Sequence, residues 1–315
     1  MNLRPLGRSG IAIAPLMLGG NVFGWTVDQQ TSSAILDAFV DAGFNAVDTA
    51  DSYSRWAPGH VGGESEIIIG RWLKTSGKRD KVVIATKVGS DMGEGLCVRK
   101  DYILRAAEAS LRRLGVETID LYQTHFDDET TPVEETLEAY AKLIGDGKVR
   151  AIGASNLTPA RLKASLAAGK AGGLPRYESL QPLYNLSDRK EFETEYAPIV
   201  RAEGLGVINY YSLAAGFLSG KYRSADEAIK HPGRGGRLKR YADARGFGIL
   251  KALDEVSAQH DATPAQVAIA WLIAQPLITA PIASATSLDQ LNDIMKGPRL
   301  KLTADDLAML DAASR

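Results

Sequence analysis

The chain has 315 residues, of which 45% are hydrophobic and 24% charged, and its net charge is −1 at pH 7. That is the profile of an ordinary globular protein, and it supplies no field to draw in nucleic acid or an anionic membrane. The single cysteine, Cys97, excludes an internal disulfide and fits a reducing compartment.

Met1 to Gly7 contains no basic region followed by an apolar run, so no signal peptide is expected and the chain is placed in the cytoplasm. Leu6 to Gly10 has the composition of a hairpin turn, which predicts a small N-terminal β-hairpin. Short apolar runs then alternate with longer amphipathic ones, the pattern of parallel strands joined by crossover helices. The expected strands are Leu16–Gly19, Phe44–Asp48, Val82–Lys87, Ile119–Thr124, Val149–Gly153, Ser179–Gln181, Gly206–Tyr210 and Leu277–Ala280. Expected helices are Ser32–Val40, Glu64–Lys74, Tyr102–Leu114, Pro132–Ile144, Pro159–Ala168, Ala244–Gln259 and Pro264–Ala274. Proline opens the fourth, fifth and seventh of these, where its missing N–H is harmless. Ala268 to Ala283 is the most apolar stretch, but Gln275 and Pro276 interrupt it, so it reads as a buried helix feeding a buried strand. The whole, residues 1–315, reads as a single (β/α)8 TIM barrel, with a doubly wound open sheet as the structural alternative. One connection stands apart. From Ser212 to about Asp243 no core element is expected, and Lys221, Arg223, Arg234, Arg237, Lys239 and Arg240 make it basic, as a flap over an anionic ligand would be.

In such barrels the chemistry sits at the C-terminal ends of the strands. There the sequence offers Asp48, Lys87, His125, Ser155-Asn156, Gln181 and Tyr211-Ser212, with Tyr53 five residues past Asp48. Three neighbouring strands thus bring an acid, an ammonium and an imidazole to one rim beside a phenol. A free phenol titrates near pH ~10, too high for a good acid at neutrality. A unit charge at ~4 Å in an effective dielectric of ~20 is worth roughly 4 kcal/mol, so Lys87 is expected to lower the Tyr53 value, with Asp48 as counter-ion to the lysine. His125 would orient a carbonyl, and Tyr53 would protonate its oxygen by general acid catalysis. The four histidines show no metal-ligand spacing, so no metal is expected.

Gly43-Phe44-Asn45-Ala46-Val47-Asp48-Thr49-Ala50, continued by Glu66 and Gly70, resembles the strand-2 signature of the aldo-keto reductase superfamily. The likeness runs from Leu3 to about Ile294 and is strongest to the bacterial branch related to potassium-channel β subunits. Asn45 stands where the family commonly has Arg, and the loop from Tyr53 to Glu66 is longer than in many members. The resemblance implies that Asp48, Tyr53, Lys87 and His125 form the catalytic tetrad of an NAD(P)H-dependent carbonyl reductase, with NADPH favoured and NADH as the alternative. It implies that Ser155, Asn156 and Gln181 hold the nicotinamide carboxamide, that Tyr211 stacks under the ring, and that Ser212, Leu213, Gly220 and Lys221 meet the pyrophosphate. Ser284 to Leu291 looks like the adenosine motif, which would give Thr286 and Gln290 to a 2′-phosphate and Asp293 to the adenine. Strongly NADPH-selective members carry Lys or Arg at the positions of Ser284 and Gln290, so Arg237 is the expected source of the missing charge. Trp25, Trp56 and Phe126 would wall a pocket for a small carbonyl compound, apolar or aromatic. No Gly-x-Gly-x-x-Gly follows the first barrel strand. The competing functions are a nucleotide-sensing subunit with little turnover and a lyase using Lys87 as a Schiff base; the oligomeric state is left open.

Overall fold

The inward and outward faces of the strands explain where this molecule puts its polar groups. A computed structural model describes residues 2–230 and 235–315. A two-residue antiparallel pair, β1 (Arg4–Pro5) and β2 (Ala12–Ile13), opens the chain as the expected hairpin. The barrel follows as β3 (Met17–Gly19), α1 (Gln29–Asp41), β4 (Ala46–Asp48), α2 (Glu64–Ser76), β5 (Val83–Val88), α3 (Lys100–Leu114), β6 (Ile119–Thr124), α4 (Val133–Gly145), β7 (Val149–Ser155), α5 (Pro159–Gly172) and β8 (Tyr177–Gln181). It continues through α6 (Ala197–Glu203), β9 (Gly206–Val207), α7 (Ala225–Ile229), α8 (Gly235–Leu238), α9 (Ala244–Gln259), α10 (Pro264–Ala274), β10 (Ile282–Ala283), α11 (Leu288–Ile294) and α12 (Ala304–Ser314). The eight barrel strands are all parallel, in the order β10-β3-β4-β5-β6-β7-β8-β9. A bridge from Val207 to Ile278 and the bond from Ile282 N–H to Asn209 O (2.9 Å) close the ring. The fold is the (β/α)8 barrel, and the open-sheet alternative is excluded.

Side chains alternate across a strand with period two. Val47, Ile84, Tyr122 and Ile152 point outward into the large core beneath the helices. Their neighbours Ala46, Ala85, Leu121 and Ala151 join Met17, Ile208 and Ile282 in a separate core inside the barrel. Leu6, Ile11 and Ile13 of the hairpin plug the lower end of that inner core. Two residues further along β4, β5 and β6 the same inward face carries Asp48, Lys87 and Gln123. An apolar inner layer therefore supports a polar one above it. Asn45 fastens the plug: its Oδ1 accepts from Ala14 N–H (2.8 Å) and its Nδ2 donates to Ala12 O (3.0 Å), which gives this departure from the family pattern a structural role.

Three expectations need correction. The eighth strand is Ile282–Ala283, not Leu277–Ala280; Thr279 and Ala280 both donate to Val207 O, and Pro281, with no N–H, separates this irregular entry from the paired residues. A helix between β8 and β9 was not foreseen. A π-helical turn, Phe192–Tyr196, leads into α6, and Ala197 N–H reaches back to Phe192 O. Helical turns run unbroken from Lys190 through the π turn to Glu203, so Pro198, which lacks an N–H, lies inside them, where a proline reads as a break unless an extra residue is looped out before it. The basic connection after β9 is also not a bare flap. A 3₁₀ turn (Ala214–Ser219), α7 and α8 bury Phe217, Leu218, Tyr222, Ala228, Leu238 and Tyr241. Arg234 lies outside the described residues.

Candidate active site

Lys87 is fully buried at the upper end of β5, and its ammonium is surrounded by oxygen. It donates to Asp48 Oδ2 (2.6 Å), Thr49 O (2.8 Å) and Tyr53 Oη (2.7 Å). Three donors meet three acceptors, which is what a buried ammonium requires. Tyr53 Oη in turn donates to Asp48 Oδ2 (3.1 Å). The second Asp48 oxygen, Oδ1, accepts from Gln181 Nε2 (2.9 Å) and Gln123 Nε2 (3.4 Å). Gly153 makes room for Gln123 and Ser179, because a Cβ there would lie 2.3 Å from Ser179 Oγ and 3.1 Å from the Gln123 side chain.

Burial pushes the Lys87 ammonium below its ordinary value, with the Asp48 charge opposing. Tyr53 moves opposite to the sequence-based expectation. Burial and the charge of Asp48 raise its phenol well above 10, so it stays protonated across the working range. Proximity to an ammonium does not lower the value here because burial, and then the Asp48 carboxylate on the same oxygen, outweigh it.

His125 follows β6 directly, its ring centroid 6.0 Å from that of Tyr53. Burial, then the Lys87 charge, hold the imidazole well below 6.5, so it is neutral. Its Nδ1 lies 2.8 Å from Ser90 Oγ, and Ser52 Oγ donates to that same hydroxyl (3.0 Å). A Ser90 hydroxyl that donates to Nδ1 places the imidazole proton on Nε2.

The ends of β7, β8 and β9 gather the remaining rim residues. Ser155 and Gln181 are register partners, and Ser155 Oγ donates to Gln181 O (2.9 Å). Asn156, at φ 48°, donates to His125 O (2.9 Å) and accepts from Tyr210 Oη (3.0 Å). Tyr211 is also left-handed (φ 55°), and Asn185 Nδ2 holds its carbonyl at 3.0 Å. Non-glycine residues in this region are uncommon, and such strain collects at functional sites. Ser212 is buried and accepts from Asn209, Leu213 is half-buried, and Gly220 ends the 3₁₀ turn ahead of exposed Lys221. Trp25 and Trp56 meet edge to face (5.6 Å), Trp56 and Tyr53 do likewise (6.0 Å), and Phe126 leans on His125 (4.7 Å). The structure thus gathers the aromatic residues around the phenol and the imidazole.

The adenosine motif is less tidy. Gln290 Oε1 accepts from Thr286 N–H and Oγ1 (both 3.0 Å), which leaves its Nε2 free to donate. Asp293 is occupied by Thr263 Oγ1 (3.0 Å) and Gln266 Nε2 (2.6 Å), joining α11 to α10. Arg237 is exposed on α8, with no hydrogen bond or ion pair linking it to Thr286 or Gln290 among the described residues.

Sequence reasoning missed Gln123, Ser90, Ser52, Tyr210 and Asn185. Gln123 was accessible to it, since it is the register partner of Lys87 and so shares its face. It also passed over Asp51, which is buried with one carboxylate oxygen unpartnered. Burial and nearby Glu66 push its carboxyl up to about 8. The folded protein therefore holds a proton that the unfolded chain releases near 4, and stability falls as pH rises from about 4 to about 8. Asp51→Asn is expected to flatten this slope and to raise stability at pH 8, as read by urea unfolding across pH; an unchanged slope would contradict the assignment.

Comparison with known proteins agrees with this architecture. The model of the family described as "Aldo/keto reductase family" matches residues 15–315. The chain is 34% identical to Uncharacterized oxidoreductase YrpG of Bacillus subtilis (strain 168) over 97% of its own length and 94% of the relative's. It is 30% identical to Protein tas of Escherichia coli (strain K12), over 99% and 97% of the two chains. L-glyceraldehyde 3-phosphate reductase of the same strain is also 30% identical, over 99% and 92%. With the match spanning the barrel and every rim strand, the chain belongs to the aldo/keto reductase family and is an oxidoreductase.

Proposed function

We propose that this chain, acting as one barrel domain over residues 1–315, reduces aldehydes and ketones to alcohols with NADPH, reversibly. One observation carries the reading: Tyr53 Oη lies within hydrogen-bond distance of both a buried ammonium and its counter-ion, beside a neutral imidazole. The bound dinucleotide supplies the hydride to the carbonyl carbon. Tyr53 gives its Oη proton to the carbonyl oxygen as charge develops there. A high resting value suits this task, since the donor remains loaded and an alkoxide is a stronger base than a phenolate. Lys87 Nζ, at 2.7 Å, then holds the phenolate left behind. Asp48 keeps Lys87 charged despite its burial. His125 donates from Nε2 to the same carbonyl oxygen and orients it.

The rim fits a nicotinamide carboxamide. Both Gln181 N–H bonds are used within the protein, but among the described residues its Oε1 accepts nothing, and Asn156 Oδ1 keeps one lone pair beyond Tyr210. Two open acceptors suit an amide NH₂, with Ser155 beside them and Tyr211 to stack against the ring. Ser212, Leu213, Gly220 and Lys221 would meet the pyrophosphate. Thr286 and Gln290 would meet a 2′-phosphate at the Ser287-capped start of α11, with Arg237 moving in to add charge. Asp293, tied to α10, would turn only its remaining lone pairs to the adenine. Trp25, Trp56 and Phe126 favour an apolar or aromatic carbonyl compound, and the name of the phosphoglyceraldehyde-reducing relative supports the aldehyde class.

Mixing the protein with NADPH and 4-nitrobenzaldehyde tests this. Absorbance at 340 nm is expected to fall with one NADPH consumed per aldehyde, and faster than with NADH. Tight NADPH binding without turnover on several aldehydes would favour a nucleotide-sensing subunit instead. Ser90→Ala is expected to lower kcat about tenfold, an effect of ~1.4 kcal/mol, with NADPH affinity unchanged, because the hydroxyl that holds His125 Nδ1 is lost. A kcat equal to that of the parent would remove Ser90 from the mechanism.

A further inference from the structure

The opposite end of the barrel carries a second polar feature that the reductase reading does not use. A cleft of about 1010 Å³ opens between the C-terminal turns of α2 and α3 and the lower ends of β5, β6 and β7. Val83 at its floor and Lys87 in the candidate active site are four residues apart on β5, so about 13 Å separates them. Seven of the lining residues are Arg or Lys and three are Asp or Glu, an excess of four positive charges in a chain whose net charge is −1.

Helix ends explain only part of that excess. Each helix C-terminus presents roughly half a negative charge, so the two together offset about one cation. Arg113 is spoken for, since its Nε donates to buried Glu66 (2.6 Å). Among the described residues, the side chains of Arg71, Lys74, Lys81 and Arg112 have no hydrogen-bond or ion-pair partner.

The floor is also organised. Asp120 is buried and holds two guanidinium groups side by side, Arg79 through Oδ2 (2.9 Å) and Arg150 through Oδ1 (2.7 Å). Its Oδ2 further accepts from Ile84 N–H (2.9 Å). Arg79 is locked by two backbone carbonyls, Val82 O and Thr118 O (both 2.9 Å). Among the described residues Arg150 uses only Nη1, and its side chain is half-exposed, so its Nε and Nη2 donors remain open. One carboxylate thus fixes two forked cations in place, with four unpaired ones around them among the described residues. Pre-positioned guanidinium groups beside unpaired cations recognise phosphoryl oxygens. The volume exceeds what one phosphate needs and lies at the upper end of small-ligand sites.

We infer that this lower cleft is a second binding site, separate from the reductase centre, for a small molecule bearing a chain of two or more phosphates. Inorganic tripolyphosphate is the probe. Titrated calorimetrically into protein already saturated with NADPH, it is expected to bind at one site per chain, more weakly as salt rises. Lys74→Glu/Arg112→Glu is expected to weaken that binding at least tenfold while leaving NADPH affinity unchanged. The pair Lys81→Ala/Arg112→Gln, which removes two charges without reversing them, should show a smaller loss, which guards against a folding defect in the reversal. No saturable binding to the NADPH-saturated protein, or equal binding by parent and both variants, would overturn the site. Failure of aldehyde reduction would not bear on it, because the readout does not pass through the upper rim.

Discussion

Tyr53→Phe is expected to abolish carbonyl reduction, lowering kcat by about 10²–10⁴-fold, the usual range for a positioned acid, while NADPH affinity stays within about twofold. Tyr53 Oη is the group that touches both Lys87 Nζ and Asp48 Oδ2, and phenylalanine removes it without altering the ring that packs on Trp56 and His125. Lys87 would lose one of three acceptors and keep the other two, so the fold should hold. Cofactor fluorescence titration and steady-state turnover check the two halves of the claim. Parental turnover in the variant would strip Tyr53 of its role.

The second large effect concerns charge. Lys87→Met removes the ammonium that compensates Asp48, whose side chain is buried. Breaking a buried pair by deleting one partner typically destabilises by about 3–5 kcal/mol, and that loss is expected at pH 7 alongside the loss of reductase activity. The stranded carboxylate escapes by taking a proton, so the deficit should shrink as pH falls. Asp48→Asn/Lys87→Met removes both charges and should recover most of the stability but none of the turnover. Urea unfolding of parent, single and double variants measures this. A double variant no more stable than the single one would show that the deficit comes from lost packing and not from an uncompensated charge.

The parts of this protein that could be read from sequence are those where one local rule acts alone. Alternation of period two places Ala46 and Asp48, or Ala85 and Lys87, on one face, so the strand ends converge on a rim once a barrel is assumed. Proline at the first turn and the threonine caps mark the starts of α5 and α10. Where two requirements compete, the reading fails. Pro198 argues against a helix that Phe192, Ile199 and Val200 nevertheless bury, and a π turn reconciles them. The basic residues after β9 conceal Phe217, Leu218 and Tyr241, which anchor that segment to the core. Arg240 and Tyr241 also pair with Asp188, a tie between segments more than fifty residues apart that no local pattern announces. The Tyr53 shift goes the other way for a similar reason. Lys87 is legible as a neighbour, but the strength of Asp48 and of burial depends on three-dimensional closeness.

The most direct test is a crystal structure with NADPH bound. The nicotinamide ring should lie at the upper rim with its reactive carbon facing the Tyr53 hydroxyl, its carboxamide on Ser155, Asn156 and Gln181, and Tyr211 beneath it. A dinucleotide seated anywhere that leaves this hydroxyl and the Lys87 ammonium out of reach of its ring would contradict the account.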